Sequence, residues 1–291
     1  MTQIKILGIS RATQYSPNSE DRDAAIFAAV ASRLSRFADV SIISEELFIA
    51  VDLSEFDLVF SMARGRDVLE SLSQAEKDNG LLVINSATSL LNMTRAQIAK
   101  TLQANSLAIP TIEVIEPQHD STPRLNFPFW LKRADACAQE KNDIRLIKNE
   151  TDYQESIDYF LTTHINCVIE EAHTEGDLVK FYGVEGTSFF HISYPTDKNG
   201  FSKFGLEEQN GEAQHYAFDE NSLKQEADKA AALTGFTIYG GDAIIKSNGQ
   251  FCIIDFNDWP SFSSCRKEAA KAIGNRIRQV CQQIDKQLQH S

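Results

Sequence analysis

The chain has 291 residues, of which 42% are hydrophobic and 24% are charged, and its formal net charge at pH 7 is −13. This length and composition allow a sizeable core divided over two or three domains. The negative charge argues against general binding to nucleic acids or to anionic membranes, because both need a basic surface. No apolar run reaches the length of about 18 residues that a transmembrane helix requires.

The cysteines and the first residues predict a cytoplasmic protein. The sequence starts with an apolar strand rather than with a basic region and a cleavage site, so no signal peptide is expected. An odd number of dispersed cysteines without CxxC spacing fits a reducing compartment better than a disulfide or zinc framework. The five cysteines are Cys137, Cys167, Cys252, Cys265 and Cys281.

The first ninety residues alternate between strand and helix patterns. Strands are predicted near residues 4–9, 38–44, 56–63 and 81–86, with amphipathic helices over 19–37 and 65–80. Such alternation is typical of an open, parallel α/β domain, here 1–88. Ligands bind such sheets at the carboxyl ends of the strands, which makes Arg11, Ser16 and Arg64 candidate contacts.

The remainder of the chain is typical of α+β structure, and we divide it into two lobes, 89–170 and 171–291. One helix is predicted over 89–106, and others over 152–161, 220–235 and from about 265 onward. Strand candidates at 127–133, 143–149, 167–172, 177–186 and 187–195 suggest antiparallel hairpins. A polar loop is expected over 196–212, and a final hairpin turns at Asn248-Gly249.

The final hairpin carries a candidate metal site. Asp255 and Asn257 share one face of a strand because side chains alternate with a period of two. A tight hairpin would place Asp242 beside Asp255, which would complete a cluster of oxygen ligands. Such ligands suit Mg²⁺ rather than zinc. The alternative is that these acids are solvated, or are paired with Lys246 or Lys267.

Two lysines lie within or at the end of apolar strands, namely Lys132 in FPFWLKR and Lys180 in GDLVKFYGV. A lysine in such a position needs a counter-charge or a route to solvent. Cations together with a carboxylate cluster are what phosphoryl transfer requires. Neither GxxxxGK[ST] nor GxGxxG occurs, so P-loop and dinucleotide-binding sites lose their main support.

With these motifs, nearly the whole chain resembles the ATP-grasp superfamily, which includes D-alanine–D-alanine ligase, glutathione synthetase, ribosomal-protein glutamate ligases and inositol-phosphate kinases. Four segments carry the resemblance: INSATSLLNMTRAQIAKTLQANSLAIPT, FPFWLK, CVIEEAHTEGDLVKFYGVEG and GGDAII with IIDFNDWPSF. The stretches KRADACAQEKND and GDLVKFYGV are also similar to an uncharacterised bacterial branch. The implied fold is an α/β domain followed by a two-lobed ATP-grasp unit.

The resemblance also implies roles for individual residues. Lys132 and Lys180 would contact the phosphates of ATP, Glu170 or Glu171 would lie at the adenine hinge, and Asp177 would bind the ribose hydroxyls. The implied metal ligands are Asp242, Asp255 and Asn257.

Three positions depart from the family pattern. Arg95 stands where a first phosphate-binding lysine is expected, with Lys100 as an alternative, and arginine differs from lysine in reach and geometry. The loop over the phosphates, Arg133 to Ile144, contains no glycine. Ligases of the family often carry an arginine two residues before the first metal aspartate, where this chain has Gly240. Arg266 or Lys203 would then supply the missing catalytic cation beside Lys180.

The activity that the resemblance implies is an ATP-dependent carboxylate–amine ligase that forms an acyl phosphate. The expected cofactors are ATP and Mg²⁺, with Mn²⁺ as a substitute ion, and the acceptor would be a small molecule or a peptide. Similar proteins are commonly homodimers. Two other functions stay open: a kinase for a small hydroxyl substrate and a regulatory nucleotide-binding module without turnover.

Overall fold

The computed structural model describes residues 3–16, 18–49, 51–195 and 212–288, and it describes side chains up to residue 283. The strands in these ranges form three four-stranded sheets. Most of the predicted polar loop 196–212 lies outside the described residues. Within the described ranges, no helix combines the length and the apolar character needed to cross a bilayer.

The first sheet confirms the predicted α/β layer. It contains β1 (Lys5–Ser10), β2 (Asp39–Ser44), β3 (Leu58–Ser61) and β4 (Leu82–Ile84), all parallel and in the order β2-β1-β3-β4. Ile6 and Phe60 pack with helix α1 (Glu20–Leu34), whereas Leu7 and Val59 pack with helix α2 (Arg66–Asn79). Both faces are therefore buried, which explains why β1 and β3 are nearly continuous apolar runs.

The predicted single helix over 89–106 is wrong, because two helices occupy this stretch. Helix α3 spans Ala87–Asn92 and helix α4 spans Arg95–Ala104. Helix α3 ends before Met93. Helix α4 begins after Thr94, whose side chain accepts a hydrogen bond from the backbone N–H of Gln97 (3.3 Å). A threonine at this position favours a helix start over helix continuation.

The second sheet contains β5 (Ile112–Ile115), β6 (Phe129–Arg133), β7 (Ile144–Ile147) and β8 (Val168–Ala172), in the order β5-β8-β6-β7. All its pairings are antiparallel. Helix α5 (Glu150–Thr162) covers one face through Tyr153, Ile157 and Phe160. The sequence did not predict β5, because the four residues IEVI are too short for a clear alternation.

The third sheet contains β9 (Asp177–Val184), β10 (Phe190–Ser193), β11 (Ile238–Ile245) and β12 (Phe251–Asp258), in the order β10-β9-β11-β12. Its pairings are antiparallel, and the predicted hairpin of β11 and β12 is confirmed. Helix α6 (Glu220–Thr234) packs on this sheet, and helix α7 (Arg266–Leu288) packs mainly against α1.

Residues 173–176 connect the second sheet to the third. The predicted hairpin of β9 with β10 is confirmed, but β8 pairs with β5 and β6 rather than with β9. Gly176 has a φ of 147°, and a Cβ there would lie 2.2 Å from the carbonyl oxygen of Ile245. Only glycine fits at this crossing. The domain boundaries at 88 and 170 stay predictions; the second falls within β8.

Candidate functional site

A cavity of about 330 Å³, which we call the central cleft, is lined by the second and third sheets and by segments that follow β1 and β3 of the first sheet. Part of its wall is apolar and is formed by Trp130, Ile144, Leu178, Ile244 and Ile254. The charged and polar part contains most of the residues that the sequence analysis selected: Arg11, Ser16, Arg64, Arg95, Lys132, Glu171, Lys180, Asp242, Asp255 and Asn257.

The acidic cluster of the last hairpin converges as predicted. Asp242 on β11 lies directly opposite Asp255 on β12 in the strand register. The side-chain amide of Asn257 donates to Asp255 Oδ2 at 2.9 Å. These three side chains share one face of the hairpin and line the cleft.

A β-bulge beside this cluster brings the second and third sheets together. The register shifts after Asp242, so that Ala243 pairs with Ile253 and Ile254 is left without a partner across the ladder. The carbonyl group of Ile254 instead accepts a hydrogen bond from Lys132 Nζ at 3.1 Å. Lys132 also forms a buried ion pair with Glu171 at 2.8 Å.

The acids of the hairpin are paired with cations of the cleft, not with Lys246 or Lys267. Lys180 lies opposite Asp242 in the strand register, with its Nζ 3.2 Å from Asp242 Oδ1. Arg95 reaches Asp255 Oδ2 at 3.4 Å from the first turn of α4. Burial alone would raise the pKa of Asp255, but the charges of Arg95 and Lys132 outweigh burial and hold that pKa below its usual range.

The donor set fits a hard divalent cation that is shared with another ligand. Asp242, Asp255 and Asn257 offer oxygen atoms, which suit Mg²⁺ and Mn²⁺. Among the described residues, no group of three or more His, Cys, Asp or Glu side chains could hold a metal ion. A cation at this cluster would therefore need further oxygens from a bound molecule or from water. Mg²⁺ sites on nucleotide phosphates have this character.

The two glutamates of β8 have different environments. Glu170 is fully buried and accepts hydrogen bonds from the backbone N–H groups of Arg124 (2.8 Å) and Leu125 (3.0 Å) and from the hydroxyl of Tyr153 (3.1 Å). It does not line the cleft, because adjacent strand residues point to opposite faces. Glu171 points into the cleft, so the structure leaves it as the single hinge candidate of the two. Burial raises the pKa of Glu171, although Lys132 opposes the shift.

Asp177, expected at the ribose, does not line the cleft. Its Oδ1 accepts from the backbone N–H of Gln214 (2.7 Å) and its Oδ2 from that of Tyr216 (2.8 Å). Both carboxylate oxygens therefore anchor the segment before α6, and the expected ribose contact stays a prediction. The sequence could not show this, because the two amides are 37 and 39 residues away along the chain.

Arg266, expected as a catalytic cation, also does not line the cleft. It begins α7, and its Nε is buried without a hydrogen-bond partner in the described structure. Lys203, the other candidate, lies outside the described residues. The first sheet supplies Arg11 and Arg64 to the cleft instead.

These two arginines are held by fixed partners. Arg11 donates to Asp23 Oδ2 (2.9 Å) and to the carbonyl group of Trp259 (3.0 Å), and Arg64 pairs with Asp258. Burial lowers the pKa of Arg11, with Arg64 adding to the shift. Two guanidinium groups at the carboxyl edge of the first sheet can orient a carboxylate or a phosphate.

Glu45 organises the loops that carry both arginines, and the sequence analysis did not identify it. Its carboxylate accepts from the backbone N–H groups of Ala12 (2.8 Å) and Arg64 (2.6 Å), and also from that of Gly65. These amides follow β1 and β3 respectively. The sequence did contain one indication of this role. Glu45 directly follows β2, and so it lies at the same edge of the first sheet as the loops after β1 and β3.

The three departures from the pattern have a visible structural context. A Cβ on Gly240 would lie 2.8 Å from Pro260 Cγ and 3.1 Å from the carbonyl oxygen of Phe181, so an arginine does not fit without a shift. In the glycine-free loop, Cys137 and Ala138 line the central cleft. Arg95 lines the central cleft, whereas Lys100 does not.

No family model and no curated protein matches the sequence. Solved structures do match the fold. A D-alanine–D-alanine ligase from Bacillus anthracis, complexed with ATP, superposes with a TM-score of 0.65 at 10% identity, over 95% of this chain and 99% of its own.

Two further structures match over nearly their full lengths. A RimK domain ATP-grasp protein from Sphaerobacter thermophilus superposes with a TM-score of 0.62 at 14% sequence identity, over 93% of this chain and 98% of its own. A D-alanine–D-alanine ligase from Coxiella burnetii superposes with a TM-score of 0.63 at 12% sequence identity, over 98% of both chains. Identities this low establish the fold alone. The chain therefore has the fold of this ATP-grasp protein and of the two ligases.

Proposed function

We propose that this protein is an ATP-dependent ligase that joins a carboxylate to an amine through an acyl phosphate, with Mg²⁺ between ATP and the protein. The observation that carries the proposal is the convergence of Asp242, Asp255 and Asn257 in a cleft that also contains Lys132, Lys180 and Arg95. The fold supports the proposal, because it is similar to the fold of D-alanine–D-alanine ligases.

Each group has a defined task in the proposed reaction. The apolar wall at Leu178, Ile244 and Ile254 would hold the adenine, with Glu171 near the hinge. Lys132, Lys180 and Arg95 would neutralise the phosphates. Asp242, Asp255 and Asn257 would hold Mg²⁺, which, when bound, offsets charge on the phosphate oxygens.

In the first step, a substrate carboxylate oxygen attacks the γ-phosphorus, and the bond to the bridging oxygen breaks to release ADP. In the second step, an amine attacks the acyl carbon, the carbon–oxygen bond to phosphate breaks, and the amine loses a proton. The protein contributes position and electrostatic stabilisation. In this proposal Arg11 and Arg64, rather than Arg266, orient the carboxylate. The acceptor is a small molecule or a peptide, and a homodimer is the proposed assembly.

Hydroxylamine tests the reaction class without knowledge of the amine. Wild-type protein is incubated with ATP, Mg²⁺, hydroxylamine and a panel of carboxylic acids, and both hydroxamate and ADP are measured. We expect equal amounts of hydroxamate and ADP with the correct acid, and neither product from a D242N/D255N variant. The same assay with an acid omitted gives the background hydrolysis of ATP.

Two other outcomes would replace this proposal. A phosphorylated hydroxyl compound without hydroxamate would identify a kinase, which the crowded Gly240 position favours because no arginine stands there to stabilise a tetrahedral intermediate. Thermal stabilisation by Mg·ATP without ADP release from any acid or alcohol would identify a regulatory nucleotide-binding module.

A further inference from the structure

A larger cavity of about 760 Å³ adjoins the central cleft, and we call it the side cavity. Its volume lies within the range of about 300–1,000 Å³ that is usual for small-molecule sites. One wall is apolar and comes from α3, α4 and the segment that follows them. It consists of Leu90, Leu91, Met93, Ile98, Leu102 and Ile109, of which all but Leu102 are only half-buried.

The opposite wall belongs to the third sheet. Ile253 and Phe256 of β12 line the side cavity from the face opposite Asp255. The side cavity and the central cleft therefore lie around the same strand, and they share the residues at which they meet. The shared residues are Tyr15, Arg64, Arg95, Lys132, Cys137, Ala138, Glu171, Ile254, Asp255, Asn257 and Asp258.

Most of the charged residues that line the side cavity are those that it shares with the central cleft. At the junction, Arg95 Nη1 donates to the carbonyl group of Arg133 at 3.1 Å, while its Nη2 lies 3.4–3.5 Å from the oxygens of Asp255, which leaves this end of the guanidinium group near enough to the cavity to meet a ligand. A guanidinium group in this setting suits a carboxylate ligand. A second charge on the ligand would lie against the apolar wall without a partner, which is costly.

We propose that the side cavity binds the apolar body of the carboxylate substrate, with the carboxylate group at the junction beside Arg64 and Arg95. The substrate class is then a monocarboxylic acid with an aliphatic or aromatic body of several carbons. This inference rests on the proposed function, which supplies the transfer of phosphate to that carboxylate. It goes further by placing the body of the acid outside the central cleft, with Arg95 at the junction between the acid and the phosphates.

Decanoate, measured without ATP, probes the side cavity independently of the reaction. We expect it to bind wild-type protein in isothermal titration, and we expect octanoate and phenylpropionate to compete. Succinate and citrate should not compete. An Ile98→Trp substitution fills the cavity from α4, and it should weaken decanoate binding by at least tenfold. Ala99→Phe is the second filling variant, for use should Ile98→Trp prove unfolded by circular dichroism.

Gln103→Trp is the matched control, because Gln103 is an exposed residue of the same helix. It should bind decanoate as the wild type does. Affinity for Mg·ATP should be unchanged in all three variants, since neither Ile98 nor Ala99 lines the central cleft.

The outcomes separate this inference from the proposed function. Decanoate binding that is lost in the filled variants, together with hydroxamate formation from decanoate and ATP, supports both. Such binding without hydroxamate from any acid supports the side cavity as a carboxylate site and overturns the ligase. Absent decanoate binding, equal binding in Ile98→Trp, or hydroxamate only from polar acids would overturn the inference.

Discussion

The ammonium group of Lys132 lies 2.8 Å from Glu171 Oε1 and also donates to the carbonyl group of Ile254 at 3.1 Å. Lys132 and Glu171 belong to neighbouring strands of the second sheet, whereas Ile254 is the bulged residue of the third. One buried lysine therefore connects the second sheet to the third at the proposed phosphate site. Its removal should affect both stability and nucleotide binding.

A Lys132→Met variant should lose about 3–5 kcal/mol of stability, because Glu171 would remain as a buried and unpaired acid. Its affinity for Mg·ATP should also fall by at least tenfold. Urea unfolding followed by circular dichroism gives the first quantity, and isothermal titration with a non-hydrolysable ATP analogue gives the second.

The double variant K132M/E171L separates these two effects. Apolar residues in place of both partners should recover most of the lost stability. Nucleotide affinity should stay low, since the positive charge is absent. Recovery of ATP affinity in the double variant would show that Lys132 acts on stability alone.

An Asp255→Asn substitution should weaken the binding of Mg·ATP by at least about tenfold, or 1.4 kcal/mol. The substitution removes a charged oxygen ligand from the proposed Mg²⁺ site. Asp242, which lies opposite Asp255 in the strand register, would be left as the only carboxylate of the three proposed ligands. Titration of an ATP analogue at several Mg²⁺ concentrations measures the effect. Asp21→Asn, on the exposed side of α1, is the control. Equal Mg²⁺ dependence in D255N and the wild type would contradict the metal site.

Asn85 joins the first sheet to the third. Its side chain accepts from the backbone N–H of Ile238 and donates to the carbonyl group of the same residue, both at 2.7 Å. Asn85→Ala should reduce the free energy of unfolding by about 1–3 kcal/mol, because a buried amide loses its partner. The exposed Asn92→Ala should change stability by less than about 0.5 kcal/mol in the same urea experiment. Similar losses in both variants would contradict the assigned role.

Gly240→Ala should destabilise the protein by about 1–3 kcal/mol, since the added methyl group meets Pro260 Cγ at 2.8 Å. Gly240→Arg, which introduces the larger side chain, should be at least as destabilised. Thermal unfolding measures both variants. A Gly240→Arg variant of wild-type stability and increased ligase activity would show that Pro260 moves aside readily.

His191 gives a test of pH dependence. Burial lowers its pKa below the usual 6.5, and Glu268 opposes the shift. The native state therefore binds fewer protons than the unfolded chain in mildly acidic solution. The stability from this group is complete above about pH 6.5 and is lost as the pH falls through the lowered value. Unfolding midpoints between pH 7.5 and 5 should fall more for the wild type than for His191→Gln, and parallel curves would contradict this assignment.

Local patterns in the sequence predicted most elements of the fold. The alternation of strands and helices to residue 86 gave the first sheet, and the turn at Asn248-Gly249 gave the hairpin that pairs Asp242 with Asp255. These features were predictable because hydrophobic period and turn chemistry act over a few residues. The helix over 89–106 was predicted wrongly because the periodicity continued across Thr94, whose capping bond depends on local geometry.

By itself, the sequence determined which residues share a strand face, and so it determined the oxygen cluster and the presence of Lys132 and Lys180 in apolar strands. Only the tertiary structure decided how distant segments use their charges. Glu170 and Asp177 bind backbone amides of other segments, Arg266 lies outside the cleft, and Glu45 holds two loops together. The physical reason is that a buried charge is satisfied by whichever partner the packing of separate elements brings within hydrogen-bond distance, and no local pattern records that partner.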